Sequence, residues 1–180
     1  TGRGLLIIGT HTSNFDLAGM ALASYLPATP QVLSLANPAP GFAFVNELRA
    51  KGDGELTPIS PETLRRAISR LQNGGVVMTA VDRPVAGGSH PVTFFGDTAW
   101  LPTHFIRIPL ITDCLVMTLA FKYDGKAYDI LANAPISMVR TGSAEADRQA
   151  NLQRILLQIE DFVRGAPDQW MVFNPVWASP

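Results

Sequence analysis

Leu5-Leu6-Ile7-Ile8, followed by Gly9-Thr10-His11-Thr12-Ser13-Asn14-Phe15-Asp16, is the stretch that decides the fold. Four consecutive apolar residues ending at a glycine read as a short strand buried on both faces, as in a parallel sheet. Behind the turn, Ala18, Ala21, Leu22, Tyr25 and Leu26 recur at helical spacing until Pro27 stops them. Strand, turn and helix in that order place His11 and Asp16 where an open α/β sheet keeps its chemistry, at the carboxyl end of a strand.

Working outward, the same alternation continues. Gln31 to Leu35 reads as a second strand, Asn37-Pro38-Ala39-Pro40-Gly41 as a break, and Phe42 to Arg49 as a short helix. Glu55 to Ile59 is a weak strand that Pro58 pushes to an edge. Ser60 as N-cap and Pro61 at the first helical position open a helix with Leu64, Ala67, Ile68 and Leu71 as its buried face, closed by Asn73-Gly74-Gly75. Val76 to Val81 is the next buried strand, and it runs into Asp82-Arg83-Pro84 and then a Gly- and Pro-rich loop as far as Phe94-Phe95-Gly96. Leu101 to Ile111 is expected to be a short helix interrupted at Pro109. Cys114 to Tyr123 and Lys126 to Leu131 form an antiparallel hairpin about Asp124-Gly125. Ser143 to Arg164 is the longest helix, and Trp170 to Phe173 is expected to add a last strand. The class is therefore α/β: a single domain with a mixed, mainly parallel sheet flanked by helices.

If the strands ending at Ile8 and Val81 run the same way, His11 and Asp82-Arg83 leave the sheet at one edge and share a crevice. A neutral imidazole there can take a proton from a hydroxyl, and a carboxylate on its other nitrogen fixes the tautomer. His11 and Asp16 are the candidates for base and orienting acid. Ser13 followed by Asp16 is equally a capping-box pattern, in which Asp16 only satisfies backbone amides. From the residues alone both readings stand.

Bulk properties narrow the function. The chain has 180 residues, 47% of them apolar and 16% charged, with a formal net charge of −1. That balance argues against nucleic acid as a partner, because phosphate neutralisation needs clustered Lys and Arg. Cys114 is alone, which excludes an internal disulfide and a cysteine-rich metal site; it reads as a small buried hydrophobe. His90 and His104 read as loop and helix-face residues, and three unclustered histidines make a poor metal site. No metal or cofactor is expected. No apolar run reaches the roughly 18 residues of a membrane span. Nucleophile-elbow, Walker and dinucleotide-binding glycine motifs are all missing from the sequence.

Taken together, Gly2-Arg3-Gly4, the apolar strand, His11 to Asp16, Asp82-Arg83, Pro91-Val92-Thr93-Phe94-Phe95-Gly96 and Leu101-Pro102-Thr103 resemble the lysophospholipid acyltransferase superfamily. More narrowly, they are similar to its lipid A biosynthesis lauroyl/myristoyl acyltransferase branch. The resemblance implies transfer of a fatty acyl group from acyl-CoA or acyl carrier protein to a hydroxyl of a lipid or glycolipid, with His11 as base and Asp16 holding its ring. Arg49 falls where the second motif keeps a basic residue and is expected, with Asp82, Arg83, Phe94, Phe95 and Gly96, to contact substrate. Two alternatives share the fold: an acyl-binding module without turnover, and a thioesterase. The resemblance also implies a cytoplasmic protein at the inner face of the membrane, with peripheral membrane contact and an anchoring segment missing from the N-terminal side of this single domain.

Overall fold

The computed structural model describes residues 2–36 and 40–177. Six strands form one sheet: β1 (Leu5–Gly9), β2 (Gln31–Ser34), β3 (Glu55–Pro58), β4 (Val76–Ala80), β5 (Leu115–Tyr123) and β6 (Tyr128–Ala132). Their spatial order is β3-β2-β4-β1-β5-β6, parallel throughout except for the final antiparallel pair. The mainly parallel single-domain α/β sheet expected from the sequence is the one present. β1 lies at its centre, and its Leu6, Ile7 and Ile8 are wholly buried, which explains the unbroken apolar run.

Helices cover both faces. On one side α1 (Phe15–Tyr25) sets Ala18 and Leu22 against Ile7, Val76 and Phe121. On the other, α3 (Pro61–Gln72) and α5 (Ala144–Gly165) bury Ala67, Leu71, Ile155, Leu156 and Ile159 against Leu6, Ile8 and Val77. Ser60 caps α3 as expected, in a reciprocal box with Thr63. Pro58 sits on the edge strand, where a missing ladder donor costs nothing. In α4 (Arg107–Thr112), Pro109 is the third helical residue, where its N–H has no partner to lose, so the helix continues through it. The remaining helix, α2 (Pro40–Arg49), takes in Pro40 and Gly41; Asn37, Pro38 and Ala39 of the expected break lie outside the described residues.

Two expectations are corrected. The stretch from Ser89 to Pro102 is no loop and helix start but a two-stranded hairpin, Ser89–Phe94 with Asp97–Pro102. Its tip is Phe95-Gly96, with φ of 55° and 80°. Positive φ at both central residues is what a type I′ hairpin turn requires, and glycine supplies the second without strain. Trp170 to Phe173 is no strand either: only Trp170 makes a single bridge, to Thr12. The lead-in Gly2-Arg3-Gly4 is structural. A Cβ on Gly4 would lie 2.2 Å from the Leu71 carbonyl oxygen, and Arg3 donates to the Asp113 carbonyl that ends α4.

Candidate functional site

β1 and β4 pair in parallel with a constant offset, Leu5 opposite Val76 and Gly9 opposite Ala80. Carried two residues past the last pair, that register sets His11 beside Asp82. The contact follows: His11 Nδ1 lies 2.5 Å from Asp82 Oδ1, and the His11 amide donates to Asp82 Oδ2 at 2.8 Å. The Trp170 indole donates to the same Oδ2 at 2.9 Å. Asp82 is fully buried and His11 is 7% exposed. Burial pushes the Asp82 carboxyl up, but the charge of His11 and the three donors outweigh it and hold the carboxyl below the usual carboxylate range.

The chain around His11 is pinned on both sides. Met171 donates its amide to the His11 carbonyl, and Ser13 donates to the Gln169 carbonyl, both at 2.7 Å. Thr12 accepts from the Phe121 amide at 2.9 Å. Ser13 has φ of 54°, an uncommon conformation for a residue with a side chain. Phe15 meets the His11 ring edge-on at 4.6 Å. An ionised carboxylate only accepts, so Nδ1 carries the proton in the neutral ring and Nε2 carries the lone pair. Among the described residues, Nε2 has no hydrogen-bond partner.

This geometry corrects the expected role of Asp16. Its Oδ1 accepts from Arg49 Nε at 2.6 Å, while Arg49 Nη1 donates to Asn46 at 2.9 Å. Asp16 therefore ties α1 to α2, and the carboxylate on the imidazole comes from the end of β4. The capping-box reading fails as well, because Asn14 is the N-cap and accepts from the Leu17 amide. Asp82 faces the histidine and not a ligand space.

His11, Phe15, Asp16, Arg49 and Arg83 line one cavity of about 190 Å³ between α1, α2 and the carboxyl ends of β2, β4 and β1. Most of its wall is apolar, including Met20, Val32, Leu56, Met78 and Leu119. Arg83 makes no ion pair or hydrogen bond among the described residues; its guanidinium carbon lies 5.4 Å from the Phe42 ring centroid. Burial lowers the Arg83 pKa from its ordinary value, Asp82 and Asp16 opposing and Arg49 assisting, yet a guanidinium so far above neutrality stays charged.

Phe94, Phe95 and Gly96, expected to touch substrate, do not line this cavity. Phe94 is fully buried, stacked on Trp177 at 6.2 Å. Phe95 donates its amide to Glu160 on α5 at 2.8 Å and lies under Arg164. These aromatics hold the hairpin tip in the core. Cys114 is buried, as expected. His90 and His104 face one another, Nε2 to Nε2 at 3.0 Å, but no group of three potential metal ligands occurs among the described residues. No described helix is long and apolar enough to cross a membrane.

Sequence reasoning gave Trp170 no part in the site. The sequence reads it as the start of an expected last strand, and nothing in local spacing points its indole at the end of β4.

The sequence model of a family described as bacterial lipid A biosynthesis acyltransferase matches residues 1–179. Comparison with curated proteins gives no match.

Proposed function

The chain belongs to the bacterial lipid A biosynthesis acyltransferase family and is an acyltransferase, and we propose that His11 is the base of an O-acyl transfer from an acyl thioester to a lipid or glycolipid hydroxyl. One observation carries this reading: an imidazole whose Nδ1 is held by a buried carboxylate presents, in the wall of an apolar cavity, an Nε2 without a partner among the described residues. Nε2 takes the proton of the acceptor hydroxyl as its oxygen attacks the thioester carbonyl. Asp82 offsets the imidazolium that forms. The tetrahedral intermediate then collapses, the C–S bond breaks, and the imidazolium returns its proton to the leaving thiolate. Products are the ester and free CoA or carrier-protein thiol, with no acyl-enzyme.

Arg83 is the cation proposed for the developing oxyanion or for a phosphate of donor or acceptor, since it is charged, lines the cavity and has no partner among the described residues. Arg49, already committed to Asp16 and Asn46, is proposed to hold α2 over the cavity. The apolar wall takes the acyl chain. Exposed Phe44, Leu48 and Leu17 around the same two helices suit peripheral contact with a membrane on the cytoplasmic side.

The test is release of free thiol from dodecanoyl-CoA or dodecanoyl carrier protein, with and without a bacterial lipid extract as acceptor. Acceptor-dependent release, lost in His11→Ala by ~10²- to 10⁴-fold, is the expected result. Release that ignores the acceptor selects a thioesterase instead. Chain binding with no release selects a binding module.

A further inference from the structure

The wall of the cavity contains a glycine that the fold does not need. Gly19 stands in the middle of the 11-residue α1, where a glycine destabilises a helix relative to alanine. Two structural reasons commonly justify such a residue, and neither applies. Gly19 is not among the glycines with positive φ. A Cβ built on it meets nothing within 4 Å, whereas one on Gly4 would collide with the Leu71 carbonyl.

What Gly19 does have is position. Phe15, Gly19 and Ala23 follow one another at i, i+4 and i+8, on one face of the helix, and all three line the cavity. Phe15 packs on the His11 ring. Gly19 is one helical turn further on, about 6 Å along the axis at 1.5 Å per residue. Val32 and Met78 line the sheet side, and Gly54 and Leu56 are also in the wall. A chain whose carbonyl sits at His11 and whose tail follows α1 passes Gly19 several bonds later. The room a side chain would take at that point is left to the ligand.

Resting on the acyltransferase reading above, we propose that Gly19 is a specificity-determining residue, which keeps the cavity open past its first helical turn and so admits acyl chains longer than that turn. A bulky side chain there closes the cavity behind the reacting carbonyl. Short chains end before the obstruction; long ones cannot avoid it.

The experiment compares the parent with Gly19→Ala and Gly19→Leu across a series of saturated acyl-CoA donors from butanoyl to hexadecanoyl. Each methylene excluded from an apolar pocket is worth ~10- to 200-fold in kcat/KM. Gly19→Leu is therefore expected to lose at least ~100-fold on the longest donors the parent uses and far less on butanoyl-CoA, so that the ratio of long- to short-chain kcat/KM falls. Gly19→Ala raises helix propensity and so is expected to fold, with a smaller shift in the same direction. An unchanged donor profile in Gly19→Ala and in any folded Gly19→Leu overturns the proposal. Binding of dodecanoate and hexanoate, followed by calorimetry, separates it from the reading it rests on. If the parent transfers no acyl group the acyltransferase mechanism fails, while selective loss of dodecanoate binding in the variants still supports the role of Gly19. Equal binding of both acids by parent and variants overturns it.

Discussion

Replacing Asp82 by Asn isolates the ring-orienting contact with the least disturbance of shape. Two donors, the His11 amide and the Trp170 indole, both reach Oδ2. An asparagine at this position keeps both bonds only by placing its carbonyl oxygen there. Its amide nitrogen then takes the place of Oδ1, 2.5 Å from Nδ1 in the parent. That nitrogen donates, so Nδ1 must accept and the ring proton moves to Nε2, where the base is needed. Flipping the amide restores Nδ1–H but faces two buried donors with an NH₂ group, at about 1–3 kcal/mol for each unsatisfied group. The substitution thus locks the unreactive tautomer. The equivalent change behind a triad histidine costs about 10⁴ in kcat, or about 5 kcal/mol of transition-state stabilisation. A loss of ~10³- to 10⁴-fold in acceptor-dependent thiol release is expected in Asp82→Asn, with KM little changed. Nitrogen NMR of the imidazole should report Nε2–H in the variant and Nδ1–H in the parent. Activity within ~3-fold of the parent would refute the reasoning, and so would a loss of that size in Asp16→Asn alone, since Asp16 does not touch the ring.

Trp170→Phe removes one hydrogen bond to a charged, buried acceptor; it is expected to cost about 1.5–3 kcal/mol in denaturant unfolding and to lower kcat more than it raises KM. Arg83→Gln should lower kcat/KM by at least ~10² if the guanidinium faces the oxyanion, whereas Arg49→Gln should act by loosening α2, read as faster amide exchange over Pro40–Arg49. Ser60→Ala removes the α3 cap and should destabilise the fold by about 1 kcal/mol without changing donor preference. The folded pKa of Asp82 is held below its ordinary value, so its contribution to stability is complete above the unfolded pKa of about 3.9 and is lost as pH falls through the folded value. Urea midpoints should therefore drop most steeply below pH ~4, and Asp82→Asn should flatten that limb.

Most strands and helices of the main sheet are legible because each has one dominant cause. Leu5 to Ile8, an unbroken apolar run closed by a glycine, suits a strand buried on both faces, and Ser60-Pro61 supplies an N-cap and a proline at the first helical position. The hairpin at Ser89 to Pro102 escaped notice because its turn is Phe95-Gly96, where a bulky aromatic occupies a left-handed position usually given to Asn or Asp. The site was half legible. Parallel strands bring His11 and Asp82 to the same edge, and that could be argued from periodicity. Which carboxylate meets the ring depends on register, and a slip of one residue between β1 and β4 would have changed the answer. Asp16, five positions away in sequence, is the nearer candidate on paper. Placed in the first turn of α1, it faces Arg49 instead.

The pairing of charges around the cavity follows from that register. Asp16 and Arg49 compensate each other. Asp82 is buried against the Nδ1 side of His11 and does not line the cavity; its charge acts on the ring and on the neighbouring Arg83. Arg83 is the remaining cation, facing the cavity without a partner among the described residues. In the mechanism proposed above, proton transfer to Nε2 would create one positive charge on the imidazole, and attack on the thioester one negative charge on the former carbonyl oxygen. The first would be met by Asp82, which the His11 and Trp170 donors hold in place before the reaction begins, and the second by Arg83; a preorganised charge of the first kind stabilises without the cost of reorganisation. Had Asp16 held the ring, Arg49 would have lost its partner and the buried Asp82 carboxylate would have lost the Nδ1–H donor on its Oδ1, a costly arrangement. Removing both charges, in the double variant Asp16→Asn/Asp82→Asn, should therefore lose no more activity than Asp82→Asn alone beyond the small effect of freeing Arg49. A double-variant loss far greater than the product of the two single losses would mean that both carboxylates act on the histidine.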